Sequence, residues 1–133
     1  MHPHIQTLIE IIKNTVRQDV VSIILFGSAA KGYLNKESDI DLLIVVKKYN
    51  EPIYKECWKQ IKKEGYQMLG IPIDLIFAEE KALTEVTSPF YLDVIADGKV
   101  IYGKDVLDKT VFERYNIAPI TTGGVRIVWR VSA

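Results

Sequence analysis

The chain has 133 residues, 48% of them hydrophobic and 26% charged, with seventeen basic side chains balancing seventeen acidic ones. That suffices for one domain with a real core and leaves no room for a separate substrate domain. Zero formal net charge gives no long-range pull toward nucleic acid or an anionic membrane, and no apolar run approaches the length of a bilayer span.

Ile5, Leu8, Ile9, Ile12 and Val16 fall at helical spacing, with Glu10, Lys13, Asn14 and Arg17 opposite, so residues 4–18 read as an amphipathic helix. Ahead of it, Met1-His2-Pro3-His4 lacks the regions of a signal peptide, and its histidines read as a frayed end rather than a metal site. Val20 to Phe26 is a β-branched, nearly all-apolar run, expected as a strand covered on both faces. Gly27-Ser28 breaks it, with Ser28 placed to cap a short helix through Ala29, Ala30 and Lys31. Gly32 to Ser38 is polar and turn-forming, and Asp39 to Val46 is a second strand.

Pro52 suits the opening of a helix over residues 53–64, and Gly65 its close. Lys55, Lys59, Lys62 and Lys63 give it a solvated basic face, while Tyr54 and Trp58, four apart, read as packing. Cys57 lies in this helix without a histidine partner and reads as a packing or surface thiol. A single cysteine excludes an internal disulfide and suits a reducing cytoplasm, the expected location. Residues 71–77 form a third strand carrying Asp74, followed by helices over 79–87 and 89–96, a short strand over 100–102 and a helix over 104–116. Val125 to Val131 alternates as a strand after a Thr122-Gly123-Gly124 turn. Two readings of that last strand stand open. It pairs with another chain, giving a homo-oligomer or partner contact, or it completes the domain's own sheet. The fold class is α/β (α+β): one small mixed sheet flanked by helices.

Asp39 and Asp41, two apart on a strand, leave one face together. Like charges that close repel each other unless a cation sits between them, and a hard divalent ion such as Mg2+ takes carboxylate oxygens. Asp74 is the third candidate, because a carboxylate inside an otherwise apolar strand is costly without a partner. Gly27 has no Cβ, so phosphate can approach its backbone. The amides at the following helix start, with the Ser28 hydroxyl, can hold phosphate oxygens, and Lys31 can add a point charge. Tyr33 either stacks on a base or is a loop tyrosine. A phosphate cradle beside paired carboxylates suits nucleotidyl transfer, in which two Mg2+ ions about 3.5–4 Å apart flank the reacting phosphate. The pattern Gly-Ser-x10-Asp-x-Asp arises by chance at roughly one position in 10⁵, so the combination is far more specific than its parts.

Residues 26–46, from Phe26-Gly27-Ser28 through Ser38-Asp39-Ile40-Asp41 to Val46, resemble the signature of minimal nucleotidyltransferase domains in the DNA polymerase beta superfamily. The likeness continues more loosely through Ile73-Asp74-Leu75-Ile76 and Tyr91 to Gly103, covering about residues 5–103. It implies a polymerase beta-like palm; residues 104–133, with their expected helix and edge strand, lie outside the likeness and extend the same single domain over residues 1–133. By motif position Gly27 and Ser28 bind phosphate, and Asp39, Asp41 and Asp74 are catalytic metal ligands for Mg2+ with ATP or another nucleoside triphosphate. Lys31 stands where the family commonly has arginine; it keeps the charge and loses the bidentate fork. Such minimal domains often pair with a small helical protein of the HEPN type, as antitoxin and toxin, and some adenylylate a tyrosine on it. The resemblance therefore implies AMP transfer from ATP to a partner protein's hydroxyl. A non-catalytic module that covers its partner sterically, or a free-standing transferase for a small molecule or RNA end, are the competing readings.

Overall fold

Pairing of apolar runs builds the centre of the molecule, of which the computed structural model describes residues 3–30, 39–85 and 88–132. Strand β1 (Val20–Phe26) lies antiparallel to β2 (Ile40–Val46). On its other side β2 runs parallel to β3 (Ile73–Glu79), while β1 pairs antiparallel with β4 (Lys99–Gly103). The result is a mixed four-stranded sheet in the order β3-β2-β1-β4.

Period-two alternation divides the sheet's apolar side chains between two cores. Ile40, Leu42, Ile44 and Val46 face helices α1 (Pro3–Val16) and α3 (Glu51–Leu69), whose Leu8, Ile12, Tyr54 and Ile61 are buried against them. Leu43 and Val45 face the other way, into a core with Leu92, Val94 and Ile95 of α5 (Pro89–Asp97). Each isoleucine or leucine fully withdrawn from water contributes about 1.5–3 kcal/mol. Short helices α2 (Gly27–Ala30) and α4 (Lys81–Thr84) follow β1 and β3. Ser88 caps α5, its hydroxyl accepting from the Phe90 amide at 3.2 Å.

The expected stop of α3 at Gly65 is wrong. The helix runs to Leu69 and ends at Gly70, whose backbone is left-handed (φ 67°) and whose amide donates to the Tyr66 carbonyl at 2.8 Å. Gly65 is there for contact, since a Cβ would lie 2.1 Å from Ile73 Cδ1 and 3.2 Å from Leu8 Cδ2. Cys57 is fully buried in the same helix, and burial pushes its thiol up to about 12. Tyr54 packs as expected, stacking on Phe77 at 4.6 Å, but Trp58 remains 38% exposed.

The helix expected over residues 104–116 shrinks to α6 (Val111–Arg114). Before it, Asp105 and Asp108 accept from the backbone amides of Leu107 (3.0 Å) and Thr110 (2.9 Å), a local alternative to helical bonding. The last strand, β6 (Val125–Val131), turns through Gly123-Gly124 onto β5 (Ile117–Thr122), which sequence reading missed. This hairpin is a sheet of its own and does not extend the main one. It docks on α5, where Arg126 donates to Asp93 (2.8 Å) and Asp97, and Trp129 Nε1 donates to Asp93 at 2.9 Å. Among the described residues no helix is long and apolar enough to cross a membrane.

Replacing Gly65 with alanine drives a methyl into Ile73. We expect a loss of about 1–3 kcal/mol in urea-unfolding free energy, despite alanine's better helix propensity.

Candidate active site

Register places the acidic residues. Asp41 stands opposite Asp74 in the parallel β2–β3 ladder and opposite Phe26 in the antiparallel β1–β2 ladder. Directly opposed residues on neighbouring strands, about 4.8 Å apart, project to the same side, so the two carboxylates are neighbours on one face. That face is the α5 side, because Leu43 and Val45 share the parity of Asp41 and lie in the α5 core. Asp39, exposed and just ahead of β2, completes the group.

Their interaction is visible in the Asp41 carboxyl, held above its ordinary value of 3.8 first by burial, then by the charges of Asp74 and Asp39. Hard oxygen donors whose mutual repulsion raises one of them suit a divalent cation. As they stand, no three acidic, histidine or cysteine side chains among the described residues close into a metal-sized cluster. Asp74 instead meets Lys62, whose Nζ lies 3.7 Å from its carboxylate and 4.4 Å from the centre of the Trp58 ring. Sequence reading assigned Lys62 to a solvated face. Only its spacing of four from Trp58 hinted that the side chain folds back along the helix. Both partners are well exposed, so the pair is worth under about 1 kcal/mol.

Gly27 seals the other side of Asp41. Its φ of +71° suits glycine, and a Cβ there would sit 2.4 Å from Asp41 Oδ2. The turn and the carboxylate are thus in contact, and α2 starts from this glycine. The Ser28 side chain, Lys31 and Tyr33 lie outside the described residues.

The arrangement supplies a carboxylate face on β2 and β3 and an open backbone turn at the end of β1, two requirements for handling a polyphosphate. Comparison with known proteins agrees. The family model described as "Nucleotidyltransferase domain" matches residues 5–102. Two Methanocaldococcus jannaschii proteins are similar, both named "Putative protein adenylyltransferase". MJ0604 is 32% identical over 98 residues, 74% of this chain and 94% of the relative. MJ1305 is 34% identical over 113 residues, 81% of this chain and 74% of the relative. Among solved structures, a chain of a toxin-antitoxin crystallised with AMP-PNP superposes with a TM-score of 0.61 at 19% identity, covering 86% of this chain and 89% of that one. A second likeness, TM-score 0.56 at 17% identity over 85% of each chain, is to a complex of an MNT antitoxin with tri-AMPylated Shewanella oneidensis HEPN toxin. At such identities these two establish the fold.

Because the Asp41 carboxyl is raised on folding, its ionisation costs stability as pH climbs from 3.8 through the raised value. Asp41→Asn is therefore expected to melt above the wild type at pH 7 without divalent cation. The advantage should disappear below pH 3.8, where the acid is neutral in both folded and unfolded chains.

Proposed function

Because the chain belongs to the nucleotidyltransferase domain family, we propose that it moves AMP from ATP to a hydroxyl on a partner protein. The partner is a small helical protein of the HEPN type, and the modification neutralises it, which makes this chain the antitoxin of a toxin–antitoxin pair. The observation that supports the reading is the alignment of Gly27, Asp41 and Asp74, in which an open backbone turn meets one carboxylate and a second stands opposite it across the β2–β3 ladder. The names of the M. jannaschii relatives support protein as the acceptor, and the likeness to antitoxin chains supports the pairing.

In this scheme Asp39 and Asp41 face the α-phosphate and Asp74 faces the incoming hydroxyl. Asp39, Asp41 and Asp74 would hold Mg2+, which when bound supplies the positive charge that offsets the triphosphate and acidifies the nucleophile. The hydroxyl gives up its proton to solvent, its oxygen bonds to the α-phosphorus, the bond from that phosphorus to the bridging oxygen breaks, and pyrophosphate leaves. The Gly27 turn, with Ser28 and Lys31 following it, receives the leaving group; backbone amides at a helix start are suited to anionic oxygens. Lys62 lies beside Asp74 on the α3 side, 3.7 Å from its carboxylate. The free edge of β6, with exposed Val125, Ile127 and Val128, is available for a homo-oligomer or partner contact.

The test is labelled ATP, Mg2+ and the partner protein, followed by gel autoradiography. Asp39→Ala with Asp41→Ala should reduce transfer by more than about 100-fold, beyond what loss of supporting residues costs. Equal neutralisation of the partner by that double variant, with no label moved, would instead establish a steric binding module. Label appearing on a small molecule or RNA end without any partner would establish a free-standing transferase.

A further inference from the structure

The four-stranded sheet ends at β3, which has no strand on its outer side among the described residues. Register shows which backbone groups that leaves over. The Ile40 amide donates to the Pro72 carbonyl, so by alternation Asp74, Ile76 and Ala78 turn their amides and carbonyls toward β2. Those of Ile73, Leu75 and Phe77 point outward. Natural edges are blunted by proline, by a bulge or by a charge in mid-strand. β3 has none of these: Asp74 and Glu79 stand toward its ends, its ladder with β2 runs without a register shift, and Ile76 in its middle is 37% exposed.

Both flanks of this edge are hollow. On the α3 flank a cleft of about 380 Å3 runs along Leu75, Ile76 and Phe77, bordered by Trp58 and Lys55. A second, of about 350 Å3, lies at Phe77 and Ala78 beside Ala82 and Tyr91, and Tyr49 borders both. An added strand needs such a pair of hollows, because its side chains alternate between the two flanks. The edge is also continuous with the site, since Asp74 belongs to β3 itself. In an antiparallel added strand the residue facing Asp74 falls at a non-hydrogen-bonded pair, whose Cα atoms are about 4.5 Å apart, the closer of the two spacings. Its side chain projects to the Asp74 side of the sheet. The residues before and after it project toward α3, where the charge is positive. Lys62 sits 4.4 Å from the centre of the Trp58 ring and meets Asp74 at 3.7 Å, which leaves donors of its ammonium unused. Lys55 and Lys59 are exposed on the same side of the helix. Carboxylates gather at the other end of the edge, with Glu51 about three turns before Lys62 and Glu79 closing the strand.

We propose that the free edge of β3 docks the acceptor protein by strand addition. An extended segment of the partner pairs with Ile73, Leu75 and Phe77, sets its hydroxyl residue opposite Asp74, and places an acidic side chain next to that residue, against Lys62 and the neighbouring lysines. The proposal rests on the nucleotidyl-transfer reading above and deepens it, naming how the acceptor is held and which charge must flank its hydroxyl.

Fluorescence anisotropy on the full chain tests it, with ATP affinity in Mg2+ followed separately by calorimetry. The probes are three labelled peptides, each with a central tyrosine inside alternating valines. One has glutamate on both sides of the tyrosine, one has lysine there, and the third is the glutamate peptide N-methylated at its two glutamate amides, which blocks pairing along that edge. The glutamate peptide should bind at least about 10-fold more tightly than either of the others, and it alone should take label from ATP. Lys55→Glu with Lys59→Glu should abolish the preference for glutamate over lysine, and Ile76→Glu should weaken binding of the glutamate peptide. Thermal melting and ATP affinity should stay unchanged in both variants. Equal binding of the N-methylated peptide would exclude strand addition, and equal binding of the lysine peptide would exclude an acidic flank. Binding of none of the three by a chain that binds ATP would place the acceptor elsewhere. Tight binding without label on the tyrosine would separate the edge from the acceptor. Each of these overturns the proposal and leaves nucleotidyl transfer standing. A dimer that light scattering shows to dissociate in Ile76→Glu would make the edge a self-association surface, overturning it as well. Failure to bind ATP would remove the nucleotidyl-transfer reading and the acceptor role with it.

Discussion

The approach of Gly27 to the Asp41 carboxylate is the constraint on which the rest of the site depends. A side chain at position 27 would lie 2.4 Å from Asp41 Oδ2, so the turn that ends β1 and the carboxylate that opens β2 share one small space. Strand register enforces this. A slip of a single residue between β1 and β2 would send Asp41 to the α1–α3 side, where Ile40, Leu42 and Ile44 are sealed against helices. The hydrophobic pattern that holds the register therefore also aims the chemistry.

The two faces of the sheet divide labour. One is closed by α1 and α3 and buries apolar side chains throughout its middle. The other carries the carboxylates at one end of the strands and packs α5 beyond them, with the hairpin resting on α5. Charge on this face is left imperfectly balanced. Asp41 is raised by burial and by its acidic neighbours, and a lysine, Lys62, reaches Asp74 from the edge of the sheet. Such imbalance destabilises the free protein, and a cationic ligand would relieve it.

Elements with one dominant signal were legible in the sequence. β1 spans Val20 to Phe26 as read, because a β-branched apolar run bounded by glycine has little else to become. β2 differs by one residue, with Asp39 outside the ladder. Gly65 misled because glycine serves both as a helix stop and as a contact residue, and nothing local distinguishes the two; only Ile73, from another element, does. The helix over 104–116 was overcalled because Asp105 and Asp108 can bond their own following amides, and β5 was missed because Pro119 and its threonines carry no strand alternation. At the site, the spacing of Asp39 and Asp41 was readable, and so was the oddity of Asp74 in an apolar run. That Asp74 faces Asp41 needed the strand order. Lys62, Asp93 and Arg126 could not be placed from the chain alone, since each owes its position to a partner 12 to 33 residues away.

Cys57 has a practical bearing on future work. Its thiol is fully buried and, with burial pushing it up to about 12, stays protonated at neutral pH, so little reactive thiolate is available. The native protein is in effect a cysteine-free background for maleimide chemistry. Fluorophores or spin probes attached at engineered surface cysteines on the hairpin and on α3 would report distances across the site without first editing the wild-type sequence.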